Sequence, residues 1–168
     1  MNFAIELKEV EFSHIPIIRE LARVCFFETY RDILSSDQIN YMYDWMYSET
    51  SLENQIKSGH KFVLAYHDNE CVGYVSYQFE SLTTTHLHKL YLSTDFQGKG
   101  LGKLLINYVF AKAKEYSRGE TCHVDLNVNR ENKAYYFYKK MGMIEVGSGD
   151  FPIGEGYYMC DYIMRKVL

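Results

Sequence analysis

The stretch Gln97-Gly98-Lys99-Gly100-Leu101-Gly102-Lys103 places three alternate glycines and two lysines between a strand-like run and a helix-like run. Glycine lets a backbone approach an anion with no Cβ in the way. The first turn of a helix offers unpaired N–H groups and the positive end of the helix dipole. That combination suits a phosphate or diphosphate. The dinucleotide pattern GxGxxG fails, because from Gly98 its third glycine falls on Lys103. A Walker loop fails at the same position and has no Ser or Thr after the lysine. A bare capping turn and an ATP-binding turn are the competing readings. Ahead of this turn, His86 and His88 stand two apart on a strand that also bears Leu90 and Leu92, and such spacing puts all four on one face. Either histidine could take a proton from an amine, directly or through water. Solvated edge histidines are the alternative, and a zinc site lacks a third ligand nearby in sequence. Glu28 and Asp32 are further candidate bases or amine anchors; surface carboxylates are the default for both.

Around these residues the chain alternates strand and helix patterns. A strand is expected at 3–10. A helix capped by Ser13 runs to about residue 27, with Ile15, Ile18, Leu21, Ala22 and Cys25 on one stripe. Pro16 falls in its first turn, where a missing N–H costs little. Ser35 and Gln38 read as a capping box for a second helix, and Ser51 opens a third that ends near Gly59. Strands follow at 61–67, 71–80 and 85–92, the first two joined as a hairpin by Asp68-Asn69-Glu70. A helix from the glycine turn to about Tyr116, a strand at 121–128, a helix at 131–140 and strands at 143–148 and 156–166 complete the order. The fold class is α+β, a mixed α/β chain with antiparallel strands first and a βαβ-like unit later.

The 168 residues fit one domain, 1–168, and 47% apolar with 24% charged residues is ordinary for a globular chain. Sixteen Tyr, ten Phe and one Trp beside two prolines exclude disorder. A net charge of −4 argues against a basic nucleic-acid surface and fits a small-molecule enzyme or a site for a cation. No apolar run approaches the ~18–20 residues that span a bilayer. The acidic N-terminal stretch lacks the pattern of a signal peptide, so a cytoplasmic location is expected. Cys25, Cys71, Cys122 and Cys160 contain no CxxC pair and read as buried thiols.

Leu90-Tyr91-Leu92 followed by Gln97-Gly98-Lys99-Gly100-Leu101-Gly102 resembles the acetyl-CoA-binding motif of the GNAT superfamily, Gln/Arg-x-x-Gly-x-Gly/Ala after a strand. The run Asn132-Lys133-Ala134-Tyr135-Tyr136-Phe137-Tyr138-Lys139-Lys140-Met141-Gly142-Met143 resembles the second motif of that superfamily. Met143 stands where an aromatic is usual. The element order is similar to a GNAT fold along nearly the whole chain. The resemblance implies a mostly antiparallel twisted sheet of about six or seven strands, splayed at the cofactor site and flanked by helices. It implies that acetyl-CoA lies between strands 88–92 and 121–128. Leu90, Tyr91, Leu92, Gln97, Gly98, Lys99, Gly100, Leu101, Gly102, Lys103 and Asn132 are then its contacts.

Acetyl transfer to an amine requires a neutral amine, donors for the oxyanion and a proton for the leaving thiolate. The resemblance puts Tyr138 near the sulfur as general acid, with His88 the candidate base. Glu28, Tyr30, Asp32 and His86 are the acceptor contacts, in a lobe whose aromatics and carboxylates suit a cationic amine. A looser similarity to bacterial spermidine/spermine acetyltransferases rests on Phe27-Glu28-Thr29-Tyr30, Tyr138-Lys139-Lys140-Met141-Gly142 and Asp161-Tyr162-Ile163-Met164-Arg165-Lys166. It makes a polyamine the leading acceptor. The alternatives are a protein N-terminus or an amino acid, and a non-catalytic acyl-CoA sensor. The partner expected is a small-molecule amine, with neither nucleic acid nor membrane; homodimerisation is left open.

Overall fold

The computed structural model describes residues 4–168. Strand β1 covers Ile5–Glu9, inside the span expected; residue 3 lies outside the described residues. A short 3-10 turn, Phe12–His14, then leads into α1, Ile15–Tyr30. Ser13 therefore does not cap this helix. The turn is closed instead by the Glu11 amide, which donates to His14 Nδ1 at 2.9 Å. Helix α2 is Ser36–Tyr47, and Ser35 accepts from the Gln38 amide as expected. Helix α3, Glu49–Lys57, starts earlier than expected because Ser48, not Ser51, caps it.

Strands β2 (Lys61–His67), β3 (Glu70–Phe79) and β4 (Thr84–Leu92) form an antiparallel meander. Asp68 and Asn69 both take left-handed backbone angles (φ 48° and 67°). That geometry matches the twist of a two-residue hairpin turn, and Asn and Asp tolerate it better than most residues. Helix α4 (Leu101–Tyr116), β5 (His123–Asn129), α5 (Ala134–Lys140), β6 (Ile144–Gly154) and β7 (Tyr157–Val167) follow. The closing hairpin is longer than the sequence patterns suggest.

The seven strands form one sheet in the order β1-β2-β3-β4-β5-β7-β6. Every pairing is antiparallel except β4 with β5. A core lies on each face. Leu87, Leu105, Val109, Val124 and Leu126 pack beneath α4. Ile18, Phe26, Tyr47, Leu64 and Tyr74 pack beneath α1–α3. All four cysteines are free; Cys25 and Cys122 are buried and the other two half-buried. No helix of the described residues is long and apolar enough to cross a membrane.

Candidate active site

The parallel ladder between β4 and β5 is short. It runs from Thr84 opposite His123 to Leu87 opposite Leu126, and then the strands part. Beyond that point β4 keeps β3 on one side, and β5 keeps β7 on the other. The facing edges of both strands, along 88–92 and 127–129, carry main-chain groups that no strand pairs. A cleft of about 1720 Å³ opens there, lined by Leu90, Leu92, Val128 and Asn129 among others.

A bulge sits at the point of parting. Tyr77 pairs with Leu87 and Ser76 pairs with Lys89, so His88 is an extra residue. An extra residue shifts the alternation of side chains by one. The expectation that His86, His88, Leu90 and Leu92 share a face is thereby corrected. Leu90 and Leu92 pack with the α4 core, whereas Tyr91 packs with the α1–α3 core. Both histidines and Lys89 project on the α1–α3 side.

The glycine turn closes one end of the cleft. Gln97 Nε2 donates to the Leu92 carbonyl at 3.4 Å and ties the turn to its strand. Gly98 and Gly100 are left-handed (φ 72° and 86°), and a Cβ on either would meet nothing within 4 Å, so both backbones face open space. Gly102 instead needs its missing side chain: a Cβ there would come within 3.2 Å of the Phe137 ring. The first intrahelical bond of α4 runs from Leu104 to Gly100, which leaves the amides of 101–103 without helical partners. Gln97, Gly98, Gly100, Gly102 and Lys103 line the cleft. The Leu101 side chain is buried in the core, so only its amide can serve a ligand. Lys99 lies over the Phe96 ring at 5.4 Å. Two left-handed glycines over open space before free helix amides fit the diphosphate of coenzyme A.

Near the parted strands, Tyr30 of α1 meets Tyr91, their hydroxyls 3.4 Å apart. Asn132 favours the ionised form of the Tyr30 phenol, although its Oδ1 accepts from the Ala134 amide at 2.9 Å at the start of α5. Tyr138 of α5 is buried in the cleft wall, and burial pushes its phenol above the ordinary tyrosine range. It therefore holds its proton at neutral pH. Asp161 of β7, 2% exposed, carries a carboxylate raised by burial and contacted by Asn127 Nδ2 at 3.5 Å.

The other acidic candidates are placed less favourably. Glu28 lines the cleft, but its Oε2 accepts from the Thr94 hydroxyl at 2.6 Å, tying α1 to the segment before the glycine turn. Asp32 sits at the cleft rim, its side chain 89% exposed and 3.7 Å from Arg31.

Three imidazoles stack beside β4. His60 lies face to face with His88 at 4.2 Å, and His86 follows at 4.6 Å. His88 Nε2 donates to Gln78 Oε1 at 3.4 Å. Burial and its charged neighbours hold His88 far below the ordinary histidine range. His86 is lowered by burial, but the carboxylates of Glu80 and Asp125 oppose the shift, and Glu80 lies 3.8 Å from its Nδ1. Lys89 is buried, pushed down to about 7 by desolvation. Cys25 also lines the cleft, but burial first, with the Glu28 charge, lifts its thiol to about 11. A protonated thiol is a poor nucleophile.

Sequence reasoning missed Asp161, Lys89 and Gln55 of α3, all of which line the cleft. Lys89 left a trace: a charge at a position flanked by buried Leu87 and cleft-lining Tyr91. Asp161 appeared only as part of a terminal run.

A family model described as an acetyltransferase (GNAT) domain matches residues 31–157. The chain is 31% identical over 87 residues to the peptidyl-lysine N-acetyltransferase YjaB of Salmonella typhimurium strain LT2. That match covers 51% of this chain and 54% of the relative, so it spans about half of the relative's length. Its fold resembles the PaiA N-acetyltransferase of Thermoplasma acidophilum, solved in complex with coenzyme A, with TM-score 0.77, 22% identity and 98% and 99% of the two chains covered. A GCN5-related N-acetyltransferase structure from Rhodopseudomonas palustris superposes with TM-score 0.82 at 18% identity, covering 100% of this chain and 99% of that one.

Proposed function

The chain belongs to the GNAT family of acetyltransferases, and on that premise we propose that its β4–β5 cleft moves an acetyl group from acetyl-CoA to a primary amine by direct attack. The observation that carries this reading is the coincidence of a glycine turn with free amides and two strands that part beside it. Bound acetyl-CoA supplies a thioester as electrophile.

The residues of the chain divide the remaining work. Amides of 98–103 hold the diphosphate, with Lys103 adding charge. Unpaired N–H groups on the β4 edge point into the gap, where they can stabilise negative charge on an acyl oxygen. Asp161 and Tyr30 receive the arriving ammonium. His86, held neutral by burial and beside Glu80, takes the amine proton through water, since it stands four residues along β5 from the Asp161 rung, about 13 Å. His88 is the weaker base, since burial first, and then His86, His60 and Lys89 around it, resist a positive charge on its ring. Tyr138 donates to the departing sulfur. The raised thiol of Cys25 supports direct attack over a covalent acyl-cysteine. One domain holds all of these groups.

For the acceptor, the amine of an amino acid or peptide fits better than a polyamine. The polyamine expectation rested on a looser family resemblance, with Glu28, Tyr30, Asp32 and His86 as the acceptor contacts. Glu28 is engaged by Thr94, Asp32 lies at the surface, and the buried Lys89 ammonium opposes a second positive charge. A polyamine is the second reading, favoured by buried Asp161 and the tyrosines around it.

A thiol-release assay with acetyl-CoA and a panel of amines tests the proposal. Release that depends on an added amine is expected. Binding of acetyl-CoA with no release for any amine would show a sensor instead.

A further inference from the structure

Phe62, Ser76 and Lys89 form a row across β2, β3 and β4, each opposite the next, on the α1–α3 side of the sheet. The Lys89 stem leans along that row. Its ammonium lies 5.4 Å from the Phe62 ring centre and 5.6 Å from that of Tyr47, and donates to Gln55 Oε1 at 2.7 Å. Gln55 is itself fixed, its Nε2 donating to the Met46 carbonyl at 2.7 Å and to the Ser51 hydroxyl at 3.1 Å. Every partner is neutral. Among the described residues Lys89 makes no ion pair with a carboxylate. The titratable groups that face it are His60 from the turn before β2 and His88 from β4, both held neutral.

Buried ammonium groups are ordinarily paired with an anion. This one has no anionic partner and lines the cleft together with Gln55, Ser51 and His60. The buried side-chain atoms without a hydrogen-bond partner among the described residues are His60 Nδ1 and Ser76 Oγ. Ser76 is the cross-strand neighbour of Lys89, and the charge of Lys89 acts on the His60 ring. Among the described residues the unsatisfied buried polar atoms therefore lie beside one buried lysine that has no anionic partner and lines the cleft.

We propose that Lys89 is the subsite for a carboxylate carried by the acceptor, so that the substrate is an amine with an acid group at its far end. The inference rests on the reading of the cleft as an amine N-acetyltransferase site. Neighbouring strands are about 4.8 Å apart, so a lysine leaning from β4 over β2 sets its charge roughly 5–10 Å from the gap. Asp161 stands on β7, beyond β5 on the far side of the gap, so an acceptor with its amine near Asp161 and its carboxylate at Lys89 spans two further strand spacings, roughly 15–20 Å in all, the reach of a long ω-amino acid or a short peptide. A diamine of the same length would bring two cations together.

The test measures CoA thiol release with ω-amino carboxylic acids of increasing length, each beside its carboxamide and the diamine of equal length. Wild type should favour the acid over its amide by ~10–100-fold in kcat/KM, the range of a charge-assisted hydrogen bond. Lys89→Met should bring that ratio close to one, through a higher KM for the acid, and Lys89→Arg should restore part of it. Lys89→Gln replaces the methionine variant if that chain fails to fold. Equal rates for acids, amides and diamines, or an acid preference that survives in Lys89→Met, would overturn the inference alone. No release with any amine would overturn the acetyltransferase reading beneath it as well.

Discussion

Leu87 faces Leu126 across the last rung of the parallel β4–β5 ladder, and the next residue of β4 is the bulged His88. The bulge and the end of pairing thus fall at one place. A bulge bends its strand and increases local twist, which is a physical cause for the parting. The edges beyond it are left for a ligand. Coenzyme A should therefore slow hydrogen exchange at amides within 88–92 and 98–103 while leaving 84–87, already paired, nearly unchanged. Protection spread evenly along β4 would contradict this.

Tyr138→Phe should lower kcat by ~10²-fold or more, the usual contribution of a positioned general acid. Coenzyme A affinity should stay within about twofold, because the ring is retained and only the hydroxyl is lost. Burial keeps the phenol protonated, so no loss of wild-type rate near pH 10 should trace to this residue. Stopped-turnover kinetics with a calorimetric control separate the two effects. An unchanged kcat would remove Tyr138 from the reaction.

Asp161→Asn should raise the acceptor KM by ~10–100-fold, the cost of losing a charge-assisted contact. Acetyl-CoA binding should be unaffected, and melting temperature should hold or rise, since a desolvated carboxylate is removed. Steady-state kinetics at saturating donor give the answer. A change confined to the donor KM would assign Asp161 to the other half of the site.

Stability should depend on pH in two windows. His60 is pushed down to about 4 by burial and by its cationic neighbours, and His86 and His88 are lowered as well. The unfolded chain then binds more protons than the folded one below the ordinary histidine pKa of about 6.5. Stability is full above that value and is lost as pH falls toward 4, with His60 contributing ~1–2 kcal/mol after allowance for solvent screening. Lys89 acts in a higher window. With a folded value of about 7 against an ordinary value of about 10.4, its buried charge destabilises fully below pH 7 and progressively less above it. Lys89→Met should thus raise the melting temperature at pH 6, by a margin that shrinks toward pH 10. Melts across that range check both signs.

The glycine turn was legible because its signal is local: Gly98, Gly100 and Gly102 lie within five residues, the first two acting through left-handed backbone angles that glycine favours and the third through its close approach to Phe137. Strand and helix spans were legible from periodicity for the same reason. The facing of Leu90 and Leu92 was not, because the bulge at His88 is set by pairing with Ser76 and Tyr77 on another strand. Cap positions were misplaced by a few residues where neighbouring serines competed, as Ser48 did with Ser51. Lys89 and Gln55 lie thirty-four positions apart and Asp161 is further still, so nothing in the spacing joins them. Folding brings them into one cleft.

The account stands on main-chain amides of the glycine turn gripping coenzyme A. Titration calorimetry of wild type and Gly100→Val tests it most directly, since a branched side chain there projects into the open space over the turn and strains a left-handed position. One equivalent of coenzyme A should bind wild type with measurable heat, and Gly100→Val should weaken that binding by ~10²-fold while still folding. No heat with wild type, or equal affinity in the variant, would contradict it.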